Sequence, residues 1–152
     1  MDKQFVVFGL NFEEFGVNIA SVESIIKMQT ITRMPLSPYF IEGVTNLRGK
    51  VVPVIDLRQR FGLSAKEADK HSRIIVISLN QTEVGMVVDE VSEVLTIPEQ
   101  AMEPAPGIAT TVDSTFISGI AKLEQRLVIL LNLERVLSTQ EQETLIGVSS
   151  GL

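Results

Sequence analysis

The stretch GVTNLRGKVVPVIDLR, residues 43–58, sets Asn46 and Arg48 between two glycines at the entrance of an apolar run. An arginine there offers five donors in a planar fork, suited to gripping the carboxylates or carbonyls of a partner. Candidates for catalysis are fewer. His71 is the only histidine and sits beside Lys70 and Arg73 in a polar connector, so a metal cluster or a Ser/His/Asp triad would have to be built on it alone. Asp56 and Asp89 could act as paired carboxylates only if the fold brought them to one cleft. Glu13 and Glu14 fall in an expected hairpin turn, and Asp89, Glu90 and Glu93 read as a solvated face. There is no cysteine, hence no thiolate or disulfide chemistry, and no phosphate-cradling glycine loop. No cofactor or metal is expected.

These residues must be positioned by one compact domain, or by two small halves sharing a core, within 152 residues. Apolar residues make up 45% of the chain and charged residues 21%, a globular composition. The net charge of -6 repels phosphate and anionic lipid, which argues against nucleic acid as a partner. No apolar run approaches the roughly 18 residues of a membrane span, and MDKQFVVFGLNFEEFG lacks the pattern of a signal peptide. A soluble, cytoplasmic protein is expected.

The chain is written twice. A shift of 69 positions lays FVVFGLNFEEFGVNIASVESII (5–26) over IIVISLNQTEVGMVVDEVSEVL (74–95), matching Leu10, Asn11, Glu14, Gly16 and Val22 with Leu79, Asn80, Glu83, Gly85 and Val91. A shift of 76 lays FIEGVTNLRGKVVPVIDLRQRF (40–61) over FISGIAKLEQRLVILLNLERVL (116–137), matching Phe40, Ile41, Gly43 and Leu47 with Phe116, Ile117, Gly119 and Leu123.

In each copy a β-branched run (Phe5 to Leu10, Ile74 to Leu79) meets turn residues (Asn11 to Gly16, Asn80 to Gly85), predicting a hairpin that returns through Val17 to Ile19 or Met86 to Val88. Ile19, Val22 and Ile25 are spaced as on one helical turn. Val51 to Ile55 and Leu127 to Leu131 read as strands covered on both faces, each followed by an N-cap, Asp56 or Asn132, and a short helix. Ser138 with Glu141 is a capping-box signature for a final helix. SAKEADKHS (64–72) reads as a polar bridge, EQAMEPAPG (99–107) as a rigid exposed loop, and Gly62 and Gly107 as breakers. Pro53 cannot donate to a ladder, so its strand needs an edge or bulge there.

The duplication acts as an internal control. A residue required by the core recurs in both copies, as Leu47 does in Leu123, whereas Asn46, Arg48 and Gly49 become Lys122, Glu124 and Gln125. Two readings of Arg48 stand: a solvated charge on a turn, with Asn46 and Gly49 chosen for left-handed backbone angles, or an anchor for a partner, contributing roughly 2 kcal/mol or more to an interface.

GVTNLRGKVVPVIDLR, with FGVNIASVESI before it, VGMVVDEVSEVL after it, PAP at 104–106 and FISGI at 116–120, resembles the CheW-type coupling proteins of bacterial chemotaxis over nearly the whole chain. The resemblance implies a mainly β fold of two pseudo-duplicated, five-stranded SH3-like barrels packed together, with short helices and a C-terminal helix. Residues 1–152 would be one CheW-like domain, with units at 15–72 and 85–137, N-terminal strands open to exchange between them, and a C-terminal helix and tail at 138–152. It also implies a non-enzymatic adaptor, joining chemoreceptor cytoplasmic tips to the regulatory domain of the chemotaxis histidine kinase within membrane receptor arrays. The family's NLRG falls on Asn46, Leu47, Arg48 and Gly49, whose arginine is implicated in receptor coupling. Val22 and Ile25 match its V-x-E-I stretch, although Ser24 stands where Glu is usual and Phe15 where tyrosine is common. Kinase-contacting residues are not placed by these motifs. The rival expectation is a small-ligand or enzymatic β-barrel using Asp56, Asp89 or His71.

Overall fold

The computed structural model of the chain describes residues 2–34, 40–104 and 114–137. The expected C-terminal helix at 138–152 and Gly107 lie outside the described residues. Alternating apolar residues produce eleven strands among them: β1 (Lys3–Leu10), β2 (Glu13–Asn18), β3 (Val22–Lys27), β4 (Ile41–Leu47), β5 (Lys50–Asp56), β6 (Arg73–Leu79), β7 (Thr82–Val88), β8 (Glu90–Ile97), β9 (Met102–Glu103), β10 (Ile117–Leu123) and β11 (Arg126–Leu131). Two single-turn helices, α1 (Leu57–Arg60) and α2 (Leu133–Val136), follow β5 and β11. They start where Asp56 and Asn132 accept bonds from the amides of Arg58 and Glu134, at 2.9 and 3.1 Å.

The strands form two sheets, ordered β8-β1-β2-β11-β10-β9 and β3-β6-β7-β5-β4. Each is curled into an SH3-like barrel, so the fold is mainly β with two pseudo-equivalent halves. The hairpin β1–β2 lies in the sheet of β8–β11, while β6–β7 lies in the sheet of β3–β5. The ladders repeat with the spacing of the sequence: β4 pairs with β5 as β10 does with β11, including a shift at Ile41/Gly43 and Ile117/Gly119. Thr32 bridges Val44 as Glu103 of β9 pairs with Ile120, giving each barrel a rudimentary sixth strand. Gly43 and Gly119 recur because a Cβ at either would strike those approaching backbones, at the carbonyls of Thr32 and Glu103.

Alternation sends each strand's two faces to different cores. Val6, Phe8, Leu10, Phe15, Ile55, Ile75, Ile77 and Met86 join a central layer shared by both sheets. Phe5, Val7, Ile97, Ala121, Val128 and Leu130 fill the second barrel. Ile74, Val76, Val52 and Val54, also buried, point away from the central layer into the first.

Several local expectations are corrected. The hairpin turns are shorter: strands resume at Glu13 and Thr82, leaving Asn11–Phe12 and Asn80–Gln81 as two-residue loops with positive φ at both positions. Residues 99–103 are a 3-10 turn and strand β9 rather than an open loop. Ile19–Ser21 is a 3-10 turn, and Val22 and Ile25 lie on a strand. Their spacing of three has another cause: an extra residue at Glu23 shifts the register, so Val22 faces Ile77 and Ile25 faces Ile75, both on the central-layer side. Pro53 sits opposite Val44, whose N–H and C=O both bond Thr32, and the parallel ladder to β7 begins only at Val54. In the other barrel that ladder begins at Val128, the counterpart of Val52. The missing donor is thus accommodated where β5 is unpaired toward β7. A cleft of about 330 Å³ opens there, lined by Lys50, Val51, Val52, Gln81, Thr82 and Glu83.

Candidate partner-docking site

Arg48 is placed by the hairpin that joins β4 to β5. Leu47 pairs with Lys50, so Arg48 and Gly49 form a two-residue loop, with φ of 53° and 84°. Asn46 remains in the strand, and its Oδ1 accepts from the Gly49 amide at 2.9 Å. The left-handed residues are therefore Arg48 and Gly49, and Asn46 serves the turn through its side chain. A non-glycine residue in this region costs on the order of 1 kcal/mol, which glycine at 48 would avoid. The equivalent turn, Glu124–Gln125, has no positive φ. Arg48 is exposed, and it forms no hydrogen bond or ion pair with any described residue.

The turn is anchored from behind. Gln29 Nε2 donates to Thr45 Oγ1 at 2.7 Å and to the Asn46 carbonyl at 2.9 Å, while Thr45 Oγ1 donates to the Thr30 carbonyl at 2.8 Å. These bonds tie the chain leaving β3 to β4, running antiparallel to it. The end of β3 is thereby directed toward the Arg48 turn. Val22 is half-buried against the central layer, and Ile25, three residues on, is 40% exposed. Leu47 is half-buried and Gly49 exposed. The six expected docking residues thus occupy one barrel, on its β3 flank and its β4–β5 turn.

Sequence spacing missed a second set. Val91 and Val94, the counterparts of Val22 and Ile25, stand on β8 behind the same kind of register shift, with Val94 49% exposed. Val51 and Leu127, counterparts at the start of β5 and β11, are 36% and 57% exposed. The expectation that Val51–Ile55 and Leu127–Leu131 are covered on both faces is thus corrected at their first residues, where the strands begin beyond the cover of the facing layers; the 69- and 76-residue offsets state the equivalences but not the exposure. Phe12, fully exposed in its turn, has a polar counterpart in Gln81.

The carboxylates have scaffold roles. Asp89 is no solvated residue: Arg58, 8% exposed, donates from Nε to its Oδ1 at 2.8 Å and from Nη2 to its Oδ2 at 2.7 Å, and the Asn11 amide adds a bond at 2.9 Å. Burial alone would raise the Asp89 pKa; the Arg58 and Asn11 hydrogen bonds outweigh it and hold the group below the usual carboxylate range. Burial raises the Asp56 pKa, against the opposing effect of the α1 amides that it caps. Asp56 and Asp89 do share a hollow of about 70 Å³, but Arg58 lines it too, its guanidinium engaging Asp89 while its amide is capped by Asp56. His71 is exposed outside it, its amide bonded to Asp69 Oδ1 at 2.8 Å. The rival site of Asp56, Asp89 and His71 therefore does not assemble. No group of three metal-ligating residues occurs among the described residues. Glu93 and Glu14 both bind Arg126, at 3.1 and 2.6 Å, and the counterparts Lys50 and Glu83 pair at 3.0 Å. These recurring ion pairs belong to the scaffold, in contrast to Arg48. A hollow of about 1000 Å³ is lined by residues that include Lys3, Asn18, Ser78, Glu103 and Asn132 and by none of the six docking residues.

Residues 4–141 match the family model of the CheW-like domain. The chain is 40% identical to the chemotaxis protein CheW of Klebsiella aerogenes, across 91% of this chain and 84% of that one. It is 38% identical to that of Bacillus subtilis, across 93% and 91%. The crystal structure of the scaffolding protein TtCheW from Thermoanaerobacter tengcongensis superposes with a TM-score of 0.83 at 41% identity, covering 93% of this chain and 91% of that one. A duplicated twin-barrel scaffold, carboxylates engaged in structural ion pairs and these likenesses agree: the chain belongs to the CheW-like family of chemotaxis scaffold proteins, which are not enzymes.

Proposed function

We propose that this protein couples chemoreceptor cytoplasmic tips to the regulatory domain of a chemotaxis histidine kinase, placing kinase autophosphorylation under receptor control and assisting array assembly in the cytoplasm. The observation that carries this reading is Arg48: outward, without a partner among the described residues, and held in a left-handed turn that a scaffold alone would fill more cheaply with glycine. The receptor tip is taken to be a helical hairpin. An amphipathic helix lays apolar side chains into a groove at spacings of three and four, and Val22 and Ile25 supply apolar surface spaced to receive them. Arg48 and Asn46 would form the polar end of that contact, flanked by Leu47 and Gly49, with the guanidinium gripping a carboxylate or helix-end carbonyls. No described helix is long and apolar enough to cross a membrane, so array association would run through the partners.

Such an adaptor needs no strong individual interface, because each contact becomes intramolecular once the first has formed. Receptor state would reach the kinase through a difference in stability between arrangements of the assembled complex. The test is reconstitution of kinase phosphorylation with membrane-embedded receptor, adding wild-type protein, Arg48→Glu protein or none. Activation by wild type, and its loss with a folded Arg48→Glu variant, are expected. Equal activation by the two forms would overturn the reading.

A further inference from the structure

The two barrels meet over an apolar central layer, and apolar contact fixes distance better than direction. Beside the Arg58–Asp89–Asn11 bonds, a second charged side chain crosses this joint between aromatic rings. Arg60, on α1 of the first barrel, places its guanidinium carbon 5.3 Å from the centroid of Phe40 and 5.1 Å from that of Phe116. Its Nε donates to the Val136 carbonyl of α2 at 2.6 Å. Phe40 and Phe116 are counterparts under the 76-residue shift, and so are Arg60 and Val136. The side chain therefore lies where the two copies face each other, bracketed by the same phenylalanine from each. Both rings are built in alike, since the Phe40 carbonyl accepts from Asp56 N at 3.0 Å and the Phe116 carbonyl from Asn132 N at 2.9 Å. Phe61, next in the chain, stacks on Phe116 with centroids 5.2 Å apart and lies 6.1 Å from Phe15, extending the ring contacts into the central layer.

We propose that Arg60 is a positioning residue that locks the two barrels in one relative orientation, and that transmission between partners held on different barrels depends on it. A planar cation between two rings, with a directed bond to the opposite helix, restricts rotation about the joint in a way the surrounding aliphatic contacts do not. Val136, the same position in the other copy, lacks any such group, so the lock is a property of one copy acting on the whole. The orientation claim needs no knowledge of partners; the transmission claim rests on the adaptor reading above.

The chain has no cysteine, so spin labels at Lys27→Cys on β3 and Gln125→Cys on the β10–β11 turn, both exposed and in different barrels, report that orientation directly. By double electron–electron resonance the Arg60→Met protein is expected to show an inter-label distribution about twofold broader than wild type, with unchanged circular dichroism. Arg60→Lys, a point cation without the planar fork, falls between the two and carries the comparison if the methionine variant does not fold. A distribution as narrow in both variants as in wild type overturns the lock. In the reconstituted system with receptor and kinase, the same unlabelled variants are expected to bind receptor within about twofold of wild type yet lose about fivefold or more of receptor-controlled activation. A broadened joint with full activation would overturn the transmission claim while leaving the adaptor reading intact; loss of activation by every form, wild type included, would instead overturn the adaptor reading.

Discussion

Removing Arg58 should destabilise the fold by more than any surface charge of the chain. Its guanidinium makes three charge-assisted bonds, two to Asp89 and one to the Ser64 carbonyl at 2.8 Å, and its side chain is 10% exposed against 18% for Asp89. Arg58→Met keeps most of the packing and leaves the Asp89 carboxylate with the Asn11 amide as its remaining hydrogen-bond partner among the described residues. Breaking a fully buried pair costs about 3 to 5 kcal/mol; partial access of water to Asp89 lowers this to roughly 2 to 3 kcal/mol. For a domain of this length that corresponds to a fall in Tm of about 4 to 12 °C by calorimetry. The pH dependence adds a second check through Asp89→Asn. Because the Asp89 pKa is lowered in the folded state, its contribution is fully present above the unfolded carboxylate value of 3.8 and is lost as pH falls through the folded value. The stability gap between wild type and Asp89→Asn should therefore be constant near neutrality and close in acid below that value. A Tm for Arg58→Met within about 1 °C of wild type, or a gap that is the same in acid as at neutrality, would refute the reasoning.

Asp56→Asn should leave stability at neutral pH equal or higher, within about 1 kcal/mol in urea unfolding, because it removes a partly buried charge whose folded pKa is raised and keeps the cap that Asn132 already makes in the other copy. A loss of about 2 kcal/mol would contradict this. Gly43→Ala, driven against the Thr32 carbonyl at a φ of 154°, is expected to cost about 2 kcal/mol or more by the same measurement. Arg48→Gly relieves a left-handed residue and should be neutral to stabilising within about 1 kcal/mol while weakening partner binding, a combination that no core residue could give.

The duplication and the strand content were legible because both copies must satisfy the same packing: Gly43 and Gly119 each leave room for a passing backbone, and Asp56 and Asn132 each cap a turn. The offset states which residues are equivalent, but it carries no information on which hairpin joins which sheet. That depends on nonlocal pairing such as Val54 with Gly85 and Leu130 with Gly16. Val22 and Ile25 were legible as a pair and misleading as a helix, since an inserted residue in a strand yields the same spacing of three. Asp89 read as solvated because its acidic neighbours dominate the local pattern, whereas its partner Arg58 is 31 positions away. Arg48 stood out because the other copy closes the same turn with Glu124 and Gln125, so the fold of the repeat does not ask for a cation there.

The most direct measurement is the affinity of the folded Arg48→Glu protein for membrane-embedded receptor, read by calorimetric titration beside wild type with the Tm of each recorded. An outward anchor contributing about 2 kcal/mol predicts roughly thirtyfold weaker binding at an unchanged Tm. Equal affinities, or a collapse in Tm that accompanies the loss, would mean that the arginine serves the scaffold and not a partner.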